Sequence, residues 1–139
     1  MDSSIYFQHL FRTLSNKWQR ERSETQLTLG ELISSLEAMP ADALVADLRN
    51  PHSYRGYYSD LAFEFDPDNT RTPHELLVEC RAAMGATFEG YKGGDFLMGK
   101  TTPLWVASYG NCGERLISLQ PDGSIETAPE NDLREEANQ

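Results

Sequence analysis

The sequence predicts an α+β fold, a mostly antiparallel sheet of about four to six strands with two or three helices packed on one face. Two segments of helical periodicity each open on a capping signal, at Thr28 and at Thr72. Short runs with the period of a strand follow them, several in succession after the second helix. Asp122-Gly123, between two of these runs, is typical of a hairpin turn. Helices and strands therefore partly segregate along the chain, as in α+β proteins.

The length of 139 residues indicates one domain, with a further segment at each end. Residues 1–24 predict an amphipathic N-terminal helix, residues 25–128 a single α+β domain, and residues 129–139 an acidic flexible tail. The apolar residues of the N-terminal helix recur at helical spacing and include an aromatic face: Ile5, Phe7, Leu10, Phe11, Leu14 and Trp18. This face is expected to dock on the body or to pair with another copy, so a homo-oligomer is one expectation. Too few basic residues accompany it for a membrane anchor.

Each helix of the body has a defined start and end. The first begins after Thr28, with the glutamate of a capping box three residues later, and ends before Pro40. The second begins after Thr72, has a proline at its first position, and ends at Gly85. These signals predict two amphipathic helices that cover the sheet.

The strands are predicted from apolar runs and turn residues. Residues 42–48 predict a short buried strand, and Leu61, Phe63 and Phe65 have the period of two expected for a strand facing the core. Between that strand and the second helix, the sequence DPDNTRTP predicts a turn. Beyond the second helix about three to five strands are expected, and Gly93-Gly94 predicts another hairpin turn.

Charge and motifs exclude several classes of function. The net charge of −10 disfavours nucleic-acid binding, because an acidic surface repels the phosphate backbone. Without a signal-peptide pattern or an apolar run of membrane-spanning length, a cytoplasmic protein with no membrane contact is expected. Phosphate-loop motifs are absent, and neither cysteines nor histidines have metal-ligand spacing. No metal, cofactor or catalytic residue is therefore predicted. Cys80 is expected in the core and Cys112 to be the more exposed thiol.

Two segments share a composition that indicates a binding site. The first tyrosine segment is SYRGYYSD (residues 53–60), and the second is FEGYKGGD (residues 88–95). Tyrosine offers a ring face and a hydroxyl, arginine stacks on rings and binds phosphate or carboxylate, and glycine permits close approach of a backbone. These groups suit a nucleotide-like or other anionic ligand. The candidate ligand-binding residues are Tyr54, Arg55, Gly56, Tyr57, Tyr58, Tyr91, Lys92 and Gly93.

A purely structural interpretation stands beside the binding site. The tyrosines are also suited to cross-strand packing, and Arg55 to an ion pair with Asp60 or Glu64. Trp105 and Tyr109 share one parity of their strand and face either the core or the site; for Trp105 the core is favoured. A carboxylate such as Asp60 or Asp95 acting as a general base is a third interpretation, without a predicted partner.

Over residues 28–109 the chain resembles a family of small proteins of bacteriophages and prophages. The shared pattern is T-L-G-E-L-I and then (N/D)-P-x-S-Y-R-G-Y-Y-x-D-L-A-F-E, followed after a helix by G-x-x-F-x-G-Y-K-G-G-x-F and T-P-L-W. The resemblance implies a phage setting, in which small accessory proteins often counter host defence by sequestering a nucleotide signal, blocking a host protein or degrading a messenger. It carries no catalytic residues across.

The expected function is therefore that of a non-enzymatic binding protein, a phage anti-defence sponge for a small nucleotide-like or other anionic ligand. One alternative is an inhibitor that engages a host defence protein through the acidic surface or the N-terminal helix. The other is a small nucleotide hydrolase or transferase. Binding that depends on Arg55, capture of a host protein, or turnover of a nucleotide would distinguish the three.

Overall fold

The computed structural model describes residues 17–89 and 94–130 of the chain. Several predictions lie outside these residues: the face formed by residues 5–14, the hairpin turn at Gly93, the end of the acidic tail, and the candidate residues Tyr91 and Lys92. The described chain contains the predicted helices and strands in one arrangement of α+β type.

Three helices and seven strands occur in the described residues. The helices are α1 at residues 17–25, α2 at Leu29–Glu37 and α3 at Pro73–Ala83. The strands are β1 at Val45–His52, β2 at Leu61–Arg71, β3 at Thr87–Glu89, β4 at Asp95–Leu97, β5 at Leu104–Ser108, β6 at Asn111–Leu119 and β7 at Ile125–Ala128. No helix of the described chain is long and apolar enough to cross a membrane.

The main sheet has five strands in the order β1-β2-β5-β6-β7. Only β2 and β5 pair in parallel, whereas β1-β2, β5-β6 and β6-β7 are antiparallel. Strands β3 and β4 form a separate antiparallel pair, so this hairpin does not extend the main sheet. The predicted α+β fold with a mostly antiparallel sheet is confirmed.

Both predicted capping boxes are present. The hydroxyl of Thr28 accepts from the backbone N–H of Glu31, whose carboxylate accepts from the backbone N–H of Thr28. Thr72 and Glu75 repeat this exchange at the start of α3. Each box satisfies backbone donors that the first helical turn leaves without a partner, and this sets where the helix begins.

The main core lies between these two helices and one face of the sheet. From the helices it receives Leu29, Leu32, Leu36, Leu76, Leu77 and Cys80; from the sheet it receives Leu48, Leu61, Phe63, Leu104 and Leu116. Phe65 was expected in this core, but it keeps 37% of its surface exposed. Its side chain instead lines a cavity, together with Val106 and Ile125.

The strand boundaries differ from prediction in two places. Strand β1 starts at Val45 and continues through Pro51 to His52, which an edge strand tolerates because no other strand of the described chain pairs with its outer side. Residues 66–71 of the predicted turn belong to β2, with a register shift between the pairs Ala46–Thr70 and Asp47–Asp66.

The turn residues still form a local turn within this irregular pairing. One carboxylate oxygen of Asp66 accepts from the backbone N–H of Asp68, and the other accepts from the side-chain amide of Asn69. Turn chemistry therefore bulges β2 away from β1 without ending it, because ladder pairs on both sides of the bulge hold the strand in the sheet.

Candidate functional site

The first tyrosine segment crosses the face of the sheet opposite the main core. Trp105 pairs with Ala62 across β5 and β2, and successive side chains of a strand point to opposite faces. Ala62, Trp105 and Cys112 form a second buried cluster, against which Tyr54 and Tyr57 pack. The prediction that Trp105 belongs to a core is confirmed, although this core is the smaller one under the tyrosine segment.

The ring of Tyr57 lies between two partners. On one side it stacks on the indole of Trp105, with ring centroids 4.8 Å apart and an interplanar angle of 17°. On the other side the guanidinium carbon of Arg22, from α1, lies 4.3 Å from the ring centroid. The hydroxyl of Tyr57 also donates to the carboxylate of Glu130 at 3.1 Å. Both faces of this ring are therefore used within the chain.

Asp60 joins Arg22 and Trp105, the two partners of the Tyr57 ring, through hydrogen bonds. Its buried carboxylate accepts from Arg22 Nε at 2.7 Å and Nη2 at 3.1 Å, and from Trp105 Nε1 at 2.9 Å. The hydroxyl of Ser59 donates to it as well. A carboxylate with this many donors and no exposed surface is held as an acceptor, so it is poorly placed to take a proton from a substrate.

Strands β3 and β4, which contain the two ends of the second tyrosine segment, lie next to the first tyrosine segment. The imidazole of His52 packs edge-on against Phe88 of β3, with centroids 4.6 Å apart. Tyr58 stacks on Phe96 of β4 at 6.1 Å. Tyr54 meets His52 edge-on at 5.8 Å. Strands β3 and β4 therefore pack against the first tyrosine segment and the adjacent His52. Tyr91, Lys92 and Gly93 themselves lie outside the described residues.

Tyr54 is partly buried beside an acidic group. Burial, followed by the nearby carboxylate of Glu64, raises the pKa of the Tyr54 hydroxyl. Both causes favour the neutral phenol, which keeps its hydroxyl as a hydrogen-bond donor. Tyr54 is therefore a packed, protonated residue at the edge of the site.

Arg55 and Gly56 run beside the start of β6. The carbonyl of Arg55 accepts from the backbone N–H of Cys112 at 3.0 Å, and Arg55 forms an isolated parallel bridge with Asn111. Gly56 has a φ of +113°, and a Cβ there would lie 2.7 Å from Asn111 Oδ1. The positive φ favours glycine at this position, because residues with a side chain rarely adopt it.

The exposed part of the site is what we call the Arg55 surface: Arg55, Gly56, Tyr109 and Asn111. Tyr109 is fully exposed at the turn between β5 and β6, with a φ of +50°. Arg55 is exposed too, and among the described residues it forms no ion pair. The alternative in which Arg55 pairs with Asp60 or Glu64 is wrong for the described residues, because Arg22 binds the carboxylate of Asp60 and the amide of Asn50 donates to Glu64.

The thiols are both unsuited to nucleophilic chemistry. Cys112 was expected to be the more exposed thiol, but it is buried like Cys80: it retains only 2% of its surface, and its Sγ faces the carbonyls of Tyr54 and Tyr57. Burial raises the pKa of Cys112, and likewise that of Cys80, to about 12. Within residues 17–89 and 94–130, no three His, Cys, Asp or Glu residues are grouped as metal ligands.

Arg22 is the site residue that sequence reasoning missed. The sequence shows it only as one of several charges in the N-terminal segment, and no local pattern links it to Asp60, 38 positions away. The sequence shows only that Asp60 directly precedes an apolar strand; the structure shows that it is buried, and such a group requires a cationic or donor partner.

The chain matches no protein family, no curated protein and no solved structure at a significant level.

Proposed function

We propose that this protein acts by binding rather than by catalysis, and that its Arg55 surface holds an anionic, nucleotide-like ligand. The observation that carries the proposal is the state of Arg55. Arg22, Arg49 and Arg71 each pair with a carboxylate of the chain, whereas Arg55 has no such partner among the described residues. An exposed guanidinium without an internal counter-ion is the group that recognises phosphate or carboxylate in a fork geometry.

Tyr109 supplies the second element of this surface. Its ring is fully exposed beside the segment that pairs with Arg55, so both faces are accessible to a planar group such as a nucleobase. Tyr57, by contrast, is a supporting residue, because Arg22 and Trp105 occupy its two faces. The proposed contacts are therefore Arg55 with the anionic group and Tyr109 with the ring of the ligand.

The resemblance to phage and prophage proteins supports a biological setting for such binding. We propose that the protein sequesters a nucleotide signal of host defence in the host cytoplasm, as a sponge. A sponge requires affinity and abundance but no turnover. This agrees with a site whose one buried carboxylate is fully engaged and whose thiols are protonated.

Thermal shift and calorimetric titration test the proposal. The panel contains nucleoside mono- and triphosphates and cyclic dinucleotides. We expect at least one to raise the melting temperature, and Arg55→Ala to abolish the shift. Arg81→Ala is the matched control, since it removes the same charge from an exposed arginine of α3 whose partner is Glu37. Absence of any ligand, or equal shifts in Arg55→Ala and in the unsubstituted protein, would overturn the proposal.

A protein partner is the second candidate, and the shape of the surface favours it. Arg55, Gly56, Tyr109 and Asn111 are all exposed, so the Arg55 surface is open rather than enclosed. Tyrosine and arginine are also the residues most enriched among energetic hot spots of protein interfaces. A host defence protein with a complementary acidic patch would fit such a surface.

A photo-crosslinking residue at position 109 distinguishes the two candidates. If a host protein is the target, the residue captures one protein in host lysate, and Arg55→Ala prevents the capture. If the nucleotide is the target, the capture is absent and the nucleotide shift is present. The same cross-linker at position 81 of α3 serves as the control for non-specific capture.

A further inference from the structure

A cavity of about 420 Å³ opens on the other side of the sheet, away from the Arg55 surface. All five strands of the main sheet, or the turn that joins two of them, contribute to its wall: Leu44, Val45, Ala46, Phe65, Pro67, Asn69, Thr70, Val106, Glu114, Asp122, Gly123, Ser124, Ile125 and Thr127. Its volume lies in the range of small-molecule sites, about 300–1,000 Å³. The cavity is therefore large enough to hold a small organic molecule.

The curvature of the sheet forms this cavity. The carbonyl of Gly123, in the β6-β7 turn, accepts from the backbone N–H of Ala46 at 2.8 Å, which joins the turn to the opposite edge strand. Gly123 has a φ of +91°, and a Cβ there would lie 1.9 Å from the carbonyl oxygen of Leu44. The two ends of the sheet thus meet as in a partly closed barrel, and the mouth of a barrel is a common place for a ligand.

The cavity is separate from the candidate site because the two lie on opposite faces. Val106 lines the cavity, whereas its neighbour Trp105 packs under Tyr57. Adjacent residues of one strand point in opposite directions. A molecule in the cavity would therefore touch no residue of the Arg55 surface.

The wall combines apolar surface with negative charge. Leu44 and Phe65 keep 57% and 37% of their surfaces exposed, and Pro67, Val106 and Ile125 add to this apolar wall. Exposed apolar side chains gathered in a concave region are typical of a binding site rather than of a free surface.

The charged groups of the wall are carboxylates. Glu114 accepts from the hydroxyl of Thr127 at 2.7 Å, and Asp122 accepts from the hydroxyl and the backbone N–H of Ser124. These bonds with Ser124 lower the pKa of Asp122, so it is ionised at neutral pH. Within the described residues, the wall contains no Lys, Arg or His, and the chain as a whole has a net charge of −10.

We propose that this cavity binds a small aliphatic or aromatic amine. The apolar body of the amine lies against Phe65 and Val106, and its ammonium group lies at Glu114. Glu114 lies opposite Val106 in the β5-β6 ladder, so the carboxylate and the apolar wall are adjacent on one face. The ring of Phe65 adds a cation–π surface. An anion of the same size would face the carboxylates of Glu114 and Asp122, and no cationic side chain among the described residues of the wall would offset their charge.

Three probes of equal chain length test this proposal: octylamine, octanol and octanoate. Each is titrated into the full-length protein below its aggregation concentration and followed by amide chemical shifts. We expect octylamine to bind more tightly than octanol and octanoate to bind weakest. The shifts should concentrate at Gly123, Ser124 and Thr127, while the amides of Arg55 and Asn111 remain unchanged.

Two substitutions locate the charge and the cavity. Glu114→Gln should weaken the binding of octylamine on the order of fivefold, as expected for the loss of an exposed ion pair, and leave the binding of octanol unchanged. Thr70→Trp places an indole in the mouth from an exposed strand position and should reduce the binding of both.

Several results would overturn the proposal. Binding of none of the probes is one, octanoate binding as tightly as octylamine is another, and perturbed amides away from the cavity are a third. If Glu114→Gln weakens octylamine and octanol equally, the carboxylate has no role in recognising the cation. The chemical-shift map remains decisive even if a variant does not fold.

Discussion

Arg22 and Asp60 form a two-point ion pair that links α1 to the body of the protein. Nε of the guanidinium lies 2.7 Å from Oδ2 of the carboxylate, and Nη2 lies 3.1 Å from Oδ1. The same guanidinium covers the ring of Tyr57. The arginine therefore satisfies a buried charge and closes an aromatic stack at once, so it anchors the tyrosine segment from outside that segment.

We expect Asp60→Asn to lower the free energy of unfolding by about 3 kcal/mol, because it leaves the guanidinium of Arg22 largely buried without a counter-ion. The amide preserves the size of the side chain and still accepts from Trp105, so the loss is mainly one of charge. Urea denaturation measures the change. Arg20→Gln, in the same helix, is the control and should cost less than about 0.5 kcal/mol. Equal costs for the two variants would contradict this role of the ion pair.

The stack of Tyr57 on Trp105 predicts different effects for two substitutions. Tyr57→Ala removes a ring that covers the indole, so we expect a loss of about 2 kcal/mol and a red shift of the Trp105 emission. Tyr57→Phe keeps the ring and loses the exposed hydrogen bond of the hydroxyl with Glu130, so the cost should stay below about 1 kcal/mol. The emission is measured in a Trp18→Phe background, because Trp18 is exposed. An unchanged emission in Tyr57→Ala would contradict the stack.

The buried thiols predict a loss of stability at alkaline pH. Burial raises the pKa of Cys80 and of Cys112 from 9.0 to about 12. The stabilising contribution of each protonated thiol is therefore complete below pH 9, and it is lost as the pH rises from about 9 to about 12. Between pH 8 and pH 10, each thiol should account for a decrease of roughly 1 kcal/mol in the free energy of unfolding.

The cysteine variants isolate this effect from other alkaline titrations. Cys112→Ala and Cys80→Ala should each reduce the decrease between pH 8 and pH 10 by about the amount of one thiol, whatever they cost at neutral pH. The free energies come from urea denaturation at the two pH values. A decrease that persists unchanged in both variants would assign the pH dependence to other groups.

We expect position 123 to require glycine, because a side chain there would contact the backbone of Leu44. Gly123→Ala introduces a Cβ into the carbonyl of Leu44 at a positive φ, so we expect a loss above about 3 kcal/mol. Gly110→Ala is the matched control: its φ of +78° imposes the same conformational cost, but no atom lies within 4 Å of the added carbon. This control should lose about 1–2 kcal/mol. Thermal denaturation of both variants measures the difference, and similar losses would mean that the contact with Leu44 relaxes freely.

Substitution of Tyr109 should weaken binding at the Arg55 surface with little effect on the stability of the protein. Its ring is fully exposed and its φ is +50°, so the side chain contributes little packing and some strain. We expect Tyr109→Gly to leave the free energy of unfolding within about 1 kcal/mol of the original value, because relief of strain offsets the added freedom of glycine. Binding at the Arg55 surface should nevertheless fall. A substantial loss of stability would indicate a structural role for this side chain instead.

Local patterns in the sequence determined much of the fold. Both capping boxes, at Thr28 and Thr72, and the Asp122-Gly123 hairpin appear where the pattern placed them, because each depends on bonds between residues a few positions apart. The bulge after Asp66 shows the limit of such patterns. Its turn residues do form a turn, but pairing with β1 continues on both sides of it, and that pairing is not local.

The sequence by itself determined which residues are chemically suited to a site, and only the tertiary structure decided which of them remain accessible. Of the candidate residues, Tyr57 and Tyr58 are committed to packing, whereas Arg55 is left exposed without a carboxylate of its own chain among the described residues. The physical reason is competition for Asp60. A buried carboxylate accepts the cation that reaches it with the best geometry, and Arg22 arrives from a helix that no local pattern relates to that aspartate.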